Sequence, residues 1–381
     1  MATFLVVVAI TGSLLVYSPE IDRIVNPNLF ARPQPGVPQL SMGEIAERVE
    51  AADPLVRVGY FFRDIPDSVI VRIVPRNDPK TGRPYALDYD HVFVDPWTGR
   101  ILGRRGGSSL SRGKINLMLF IRSVHTDLAL GAPGALVLGY VAIVWTIDCF
   151  VGFYLTLPIS RPGFWRRWGI AWWVKWNANS FRVNFDLHRA GGLWFWPLLF
   201  AFAWSSVRFE LLPVYEKVMQ TAFSYETAED SIQGIPQHSI EHPRLTWSEA
   251  EARGVNVIRQ EGAKHNLRIL RPVTLAYIEP FGVYSLGVET DRDFRGRDPD
   301  TGVYIDGDTG ELKKLFLPRG PAGNTFTNLI VGLHFADFRG WQSYRFLEFF
   351  SGFLITLLSV TGVYIWWRKR AVRRNNPAKR M

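Results

Sequence analysis

Seven histidines are spread over 381 residues, and two of them stand out by position. His125 and His334 each lie just ahead of a long apolar run. Each is followed six residues on by a glycine, Gly131 and Gly340. The match continues into the runs: Gly152-Phe153-Tyr154 lies 27 residues past His125, and Gly362-Val363-Tyr364 lies 28 past His334. An ionisable side chain at membrane depth marks a functional site by default, and a neutral imidazole is a metal ligand. The competing reading is an interfacial histidine satisfied by water, which matched positions in two copies disfavour. His188, with Arg189 beside it, is a third candidate at the opposite end of another apolar run. His238 and His242 have a helical metal-ligand spacing, but GIPQHSIEHPR holds two prolines and no apolar periodicity, so a solvated loop is expected. His91, ahead of a strand, and His265, in a polar stretch, are expected at the surface.

Positioning these residues requires elements that cross a membrane. A hydrocarbon core of about 30 Å needs about 20 apolar residues. The runs 133–157 and 346–367 meet this, and 187–209 meets it with His188 and Arg189 at one interface. The first run, 1–17, is short. It lacks the basic leader and small-residue cleavage site of a signal peptide, so a span is expected. Residues 158–184 carry five basic residues and no acid, and 368–381 carry seven and no acid, so the rest of the chain is net acidic although the whole is +9. This bias marks cytoplasmic ends rather than nucleic-acid binding. Both long loops, 18–114 and 210–325, then lie in the periplasm of a bacterial inner-membrane protein whose termini are cytoplasmic. Trp194, Trp366 and Trp367 sit near the ends of the apolar runs, where amphipathic rings favour the membrane–water interface. The single cysteine, Cys149, excludes an intramolecular disulfide and reads as a small membrane-core residue.

The loops repeat one plan. Ser41–Pro54 reads as an amphipathic helix with Ser41 as N-cap and Glu44 three residues on, and Thr246–Gly254 repeats this with Glu249. Strand-like segments follow at 56–62 and 68–74, and again at 267–278 and 282–289. Each copy closes on a hairpin signal, VFVDPWTGRILG at 92–103 and VYIDGDTGELKK at 303–314. The expected fold is four transmembrane helices with two periplasmic α+β domains in a two-fold internal repeat. Its parts are a first span at 1–17, a domain at 40–110, an interfacial helix plus second span at 115–157, a basic loop at 158–185, a third span at 186–209, a second domain at 245–320, an interfacial helix plus fourth span at 326–367, and a basic tail at 368–381.

The DPWTG and DGDTG turns after capped helices resemble PepSY domains. LHRAGG at 187–192, GLHFADFRG at 332–340 and VTGVYIWWRKR at 360–370 resemble the PepSY-associated transmembrane family, and the likeness covers nearly the whole chain. Within that family, size and layout are similar to the FoxB-type inner-membrane ferrisiderophore reductases. The resemblance implies haem b, one or two, and delivery of electrons to a ferric siderophore, hydroxamates among them, in the periplasm. On it, His125 and His334 are axial ligands of one haem iron and His188 of a second, whose other ligand is unassigned. In the family the first span opens with a His-Arg-x-x-Gly-Leu element. Aligning Thr11-Gly12-Ser13 with Trp204-Ser205-Ser206 places that histidine about six residues before Met1, which implies a truncated first span or one ligand fewer.

Arg122 and Arg189 suit a haem propionate or a lipid headgroup equally. Asp148 inside the second span is a candidate for a hydrogen bond to a neighbouring helix, a proton site or quinol binding. The Trp- and Arg-rich stretch 161–182 reads as an interfacial amphipathic helix. No Gly-rich dinucleotide fingerprint or P-loop occurs, so electrons are expected from a cytoplasmic donor or from quinol. The alternative to a reductase is a membrane-anchored PepSY module that binds or restrains a peptidase without redox activity. A transporter with repeated halves fits less well, because the repeats share one orientation and no span looks broken.

Overall fold

The computed structural model describes residues 1–62, 65–318, 320–340 and 342–375. Lys379 and Arg380, part of the basic tail, lie outside them. In chain order, helix α1 (Ala2–Val16) bends by 73° at Tyr17 into α2 (Ser18–Val25). Helix α3 (Met42–Ala52) and strands β1 (Val56–Phe62), β2 (Val69–Pro75), β3 (His91–Val94) and β4 (Ile101–Arg105) follow. Next come α4 (Leu117–Asp127), α5 (Ala132–Thr156), the short α6 (Phe164–Gly169) and α7 (Ser180–Trp194), which bends by 71° into α8 (Trp196–Glu210). After α9 (Leu212–Ala222), α10 (Ala228–Ile232) and α11 (Trp247–Lys264) come β5 (Ile269–Ile278), β6 (Val283–Thr290), β7 (Gly302–Asp306) and β8 (Leu312–Phe316). The chain closes with α12 (Ala322–Phe335) and α13 (Gln342–Asn375).

Among the described residues, α5 and α13 are long and apolar enough to cross a membrane; α1–α2 and α7–α8 qualify only as bent pairs, giving two spans or up to four. Span 186–209, expected as one run, is therefore broken at Phe195. The second helix starts with a proline in its first turn, as α2 also does, where a missing N–H costs nothing. The expectation that no span is broken is corrected by the bend at Phe195, whereas the bend at Tyr17 lies at the end of the expected first span.

All eight strands form one antiparallel sheet in the order β4-β3-β2-β1-β5-β6-β7-β8, joined at its centre by β1 and β5 where Tyr60 faces Ala276. One face carries α3 and α11. Ser41 and Thr246 each complete a capping box with Glu44 and Glu249. The two helices cross so closely that a Cβ at Gly43 would lie 2.5 Å from the Ser248 Cα. Each donates a backbone N–H to the other's carboxylate: Gly43 to Glu251 at 2.7 Å and Ser248 to Glu47 at 2.9 Å. Met42, Ile45, Val49, Phe61, Leu275, Leu286 and Trp247 fill the space between helices and sheet. In the two hairpins Asp95 and Asp306 each accept N–H bonds from the residues two and three further on. Gly99 and Gly310, both at φ +71°, complete the turns in a conformation that favours glycine.

Ion pairs fasten the sheet and its flanking loops to the helices, and another joins two helices. Arg105 at the end of β4 bonds Asp22 of α2 at 2.7 Å, with both side chains buried. Arg295 in the β6–β7 loop bonds Asp337 just past α12 at 3.3 Å. Arg345 of α13 bonds Glu20 of α2 at 2.9 Å.

Candidate functional site

His125 lies in the last turn of α4 and His334 in the last turn of α12. Both helices stop in left-handed residues, Leu128 and Ala336, and both chains turn again at Gly131 and Gly340 with φ of +66° and +76°. The two imidazoles face each other, with ring centroids 6.3 Å apart and planes at 72°. Each ring is fixed through its Nδ1. His125 Nδ1 lies 2.9 Å from the Val8 carbonyl and 3.2 Å from Thr11 Oγ1 on α1. A carbonyl only accepts, so Nδ1 carries the proton and Nε2 keeps the lone pair. His334 Nδ1 lies 2.7 Å from Ser205 Oγ on α8, and that hydroxyl donates to the Ala201 carbonyl at 2.6 Å. Its oxygen therefore accepts from Nδ1–H, and His334 also presents Nε2. Phe202 and Phe209 meet the His334 ring edge-on at 5.5 and 5.2 Å.

The pair lines a cavity of about 1000 Å³ between the helices and the sheet. Its walls are largely apolar, from Leu5, Val8, Leu138, Val141 and Ile355 among others. Arg122, one turn before His125, lines it too and has no hydrogen-bond or ionic partner for its guanidinium among the described residues. His91 is a correction: it lies within β3, half-buried and lining the cavity, with Nδ1 2.7 Å from Asp90. Burial pushes its pKa below the ordinary histidine value, against the opposing pull of Asp90. A smaller cavity of about 400 Å³, lined by Asp88, Tyr89, Arg104 and Arg112, contains no histidine.

His188 stands apart, on α7 against α13. Its Nδ1 lies 3.0 Å from the Leu358 carbonyl and 3.2 Å from Thr361 Oγ1. The setting copies that of His125: a carbonyl, then a threonine three residues on, then a glycine. A Cβ at Gly12 would lie 2.9 Å from His125 Cε1, and one at Gly362 would lie 3.0 Å from His188 Cε1. The Thr-Gly pairs at 11–12 and 361–362 were the sequence signal for these two sockets. No described side chain is seen facing His188 as His334 faces His125.

Other expectations are redirected. Arg189 donates to the carbonyls of Ile170 and Ala171 and to Asp186. Those carbonyls would serve a continuing helix, so 161–182 is not one amphipathic helix but α6, a 3-10 turn at Ile170–Trp172 and an irregular run. Trp165, Trp173 and Trp176 remain exposed on it. Asp148 sits on the exposed face of α5 with no side-chain partner among the described residues. His238, His242 and His265 are exposed, the first two in a loop. No cluster of three or more metal-ligating side chains occurs among the described residues.

The family described as "PepSY-associated TM region" matches residues 1–369, nearly the full length. The chain belongs to the PepSY-associated TM family. It is a membrane protein with an extramembrane sheet. A search of curated proteins finds no match.

Proposed function

We propose that this PepSY-associated TM protein is a four-span, haem-containing reductase of the bacterial inner membrane that passes electrons outward to a ferric siderophore. On this reading the two halves are repeats, the sheet lies in the periplasm and both termini are cytoplasmic. The observation that carries the reading is the His125–His334 pair. A metal–imidazole bond of about 2 Å on each side, plus about 1.1 Å from each ligating nitrogen to its ring centre, calls for centroids about 6 Å apart. The observed 6.3 Å, the tethered Nδ1 atoms and the surrounding apolar cavity fit a haem between the rings.

A haem bound there supplies one-electron chemistry. The chain's residues do the rest. Val8, Thr11 and Ser205 hold the ring orientation and tautomer, as partners behind a ligating histidine do. Arg122 offers its guanidinium to a propionate. Apolar side chains surround the ring pair, and residues of the sheet line the far side of the cavity. His188, in a socket of the same design, would hold a second haem nearer the cytoplasm, on the side of a cytoplasmic donor or quinol. Reduction of a hydroxamate-type chelate to Fe(II) weakens its hard-oxygen coordination and frees the metal.

The test is the reduced-minus-oxidised visible spectrum with a pyridine haemochrome count, on wild type and His334→Ala, followed by ferric-chelate reduction with a ferrous trap. A b-type spectrum that loses haem in the variant is expected. A colourless, folded protein from haem-replete cells would sink the reading and favour a PepSY binding or regulatory module.

A further inference from the structure

The cavity holds a buried acid that the reductase reading does not use. Glu348 lies on α13 within the apolar run, is 8% exposed, and lines the cavity together with His125 and His334. Its Oε2 is buried without a hydrogen-bond partner. Three of the nearby cations are committed elsewhere, while Arg122 and Arg297 also line the cavity. Arg345 donates to the Val16 carbonyl and to Glu20, and Arg105 and Arg295 are held by Asp22 and Asp337. On its own helix Tyr344 is the polar neighbour, and its hydroxyl donates to the Leu333 carbonyl beside His334. From α1, Ser13 donates to the Phe349 carbonyl, and Tyr17 packs on Phe349. From α12 the titratable group is His334. From α7, Asp186, His188 and Arg189 sit further along α13. Across the cavity stand Arg122, His125 and Asp127 on α4, Glu210 on α8 and Asp337 past α12.

An uncompensated carboxylate in such a place is costly, and a change of one charge in the same low-dielectric space acts on it strongly. We propose that Glu348 takes up one proton each time the cavity gains one electron and releases it when that electron leaves. The inference rests on the reductase reading. The balance is simple. The electron comes from a quinol or a reduced donor protein, the proton from periplasmic water through the cavity, and the only bond formed is the carboxyl O–H. On re-oxidation the electron passes to the ferric chelate, the O–H bond breaks and the proton returns to water. The net charge of the cavity is the same before and after.

The experiment is an equilibrium redox titration of haem absorbance in the full-length detergent-purified protein across the neutral pH range, with redox-difference infrared spectra. In wild type the oxidised-to-reduced ratio at fixed potential should shift close to tenfold per tenfold change in proton concentration over part of that range. A protonated-carboxyl C=O band should appear on reduction. Glu348→Gln should keep its haem but lose most of the pH dependence and the band, Glu348→Asp should restore both in part, and Glu210→Gln, at another acid lining the cavity, should keep both. A pH-independent wild-type ratio, or an unchanged slope in Glu348→Gln, overturns the proposal. Should Glu348→Gln fail to load haem, the wild-type infrared spectrum decides, and absence of the band overturns it. A wild-type protein without haem fails before any titration and overturns the reductase reading beneath it.

Discussion

The sockets behind the histidines can be tested without touching a histidine. Gly12→Ala adds one methyl group to α1, 2.9 Å from His125 Cε1 and 3.4 Å from Nδ1. Ordinary carbon contacts need about 3.5–4.0 Å, so the ring must retreat by about 0.6 Å or more. That moves Nδ1 off the Val8 carbonyl and Thr11 Oγ1, now at 2.9 and 3.2 Å. Overpacking of this kind costs about 1–3 kcal/mol, a factor of about 5 to 150 in haem affinity at this site. The helix itself does not suffer, because alanine is favoured over glycine in a helix interior by about 1 kcal/mol. Gly362→Ala should act in the same way on His188, whose Cε1 would lie 3.0 Å from the new methyl group. Gly152→Ala meets nothing within 4 Å and serves as the control. Haem per protein and the low-spin spectrum are measured for all three. Loss from the His125–His334 site in Gly12→Ala, with that site intact in the other two, is expected. Equal haem content and spectra in Gly12→Ala and Gly152→Ala would refute the argument that close contact with α1 fixes the ligand.

Two further predictions concern the frame. Asp22→Ala leaves Arg105 buried and unpaired, which should cost about 3–5 kcal/mol. The double variant Asp22→Leu/Arg105→Met should recover much of that loss, and additive losses in detergent thermal unfolding would contradict a buried pair. Burial holds the carboxyl of Asp300 up at about 6, opposed by Arg295, whereas the unfolded chain titrates near 3.8. The folded state therefore binds this proton better. Its contribution is full below about pH 3.8 and is lost as pH rises through about 6. Asp300→Asn, which can still accept the bond from Asn328, should flatten stability between those values. It should raise stability at neutral pH by at most about 3 kcal/mol, at about 1.4 kcal/mol per pKa unit. An unchanged slope would count against a buried, reluctant carboxylate.

What could be read from the sequence was local or periodic. Ser41 and Thr246 announced their capping boxes by a glutamate three residues on, and Gly99 and Gly310 marked the hairpins, because each depends on neighbours within one turn. The matched offsets of His125 and His334 singled out two residues that the structure brings to 6.3 Å. The joining of β1 to β5 in one sheet was not legible, because an edge hydrogen bond between residues 60 and 276 leaves no pattern along either strand. Nor was the link from Arg189 to the carbonyls of Ile170 and Ala171, since a carbonyl partner has no side-chain signature. The bends did leave a trace: Pro19 and Pro197 each sit in the first turn of the second helix of a pair. Glu348 was hidden by its surroundings, since FLEFFSGF reads as apolar on any average.

Helix α13 connects these features. Its Gly352 admits α1, where a Cβ would lie 2.4 Å from the Ala9 carbonyl, and so sets the depth of the helix that tethers His125. Glu348, Ser351, Gly352 and Ile355 give it one wall of the cavity. Tyr344 bonds the carbonyl beside His334, and Leu358, Thr361 and Gly362 form the socket of His188. From Gly352 to Gly362 is ten residues, about 15 Å along the axis. That rise separates the α1 contact from the His188 socket by a length fixed along one helix. On the proposed reductase reading, this arrangement lets each site be tuned separately. The socket glycines, Gly12 on α1 and Gly362 on α13, set where each ring stands, and on the reductase reading the packing of α1 on α13 then sets how far an electron travels.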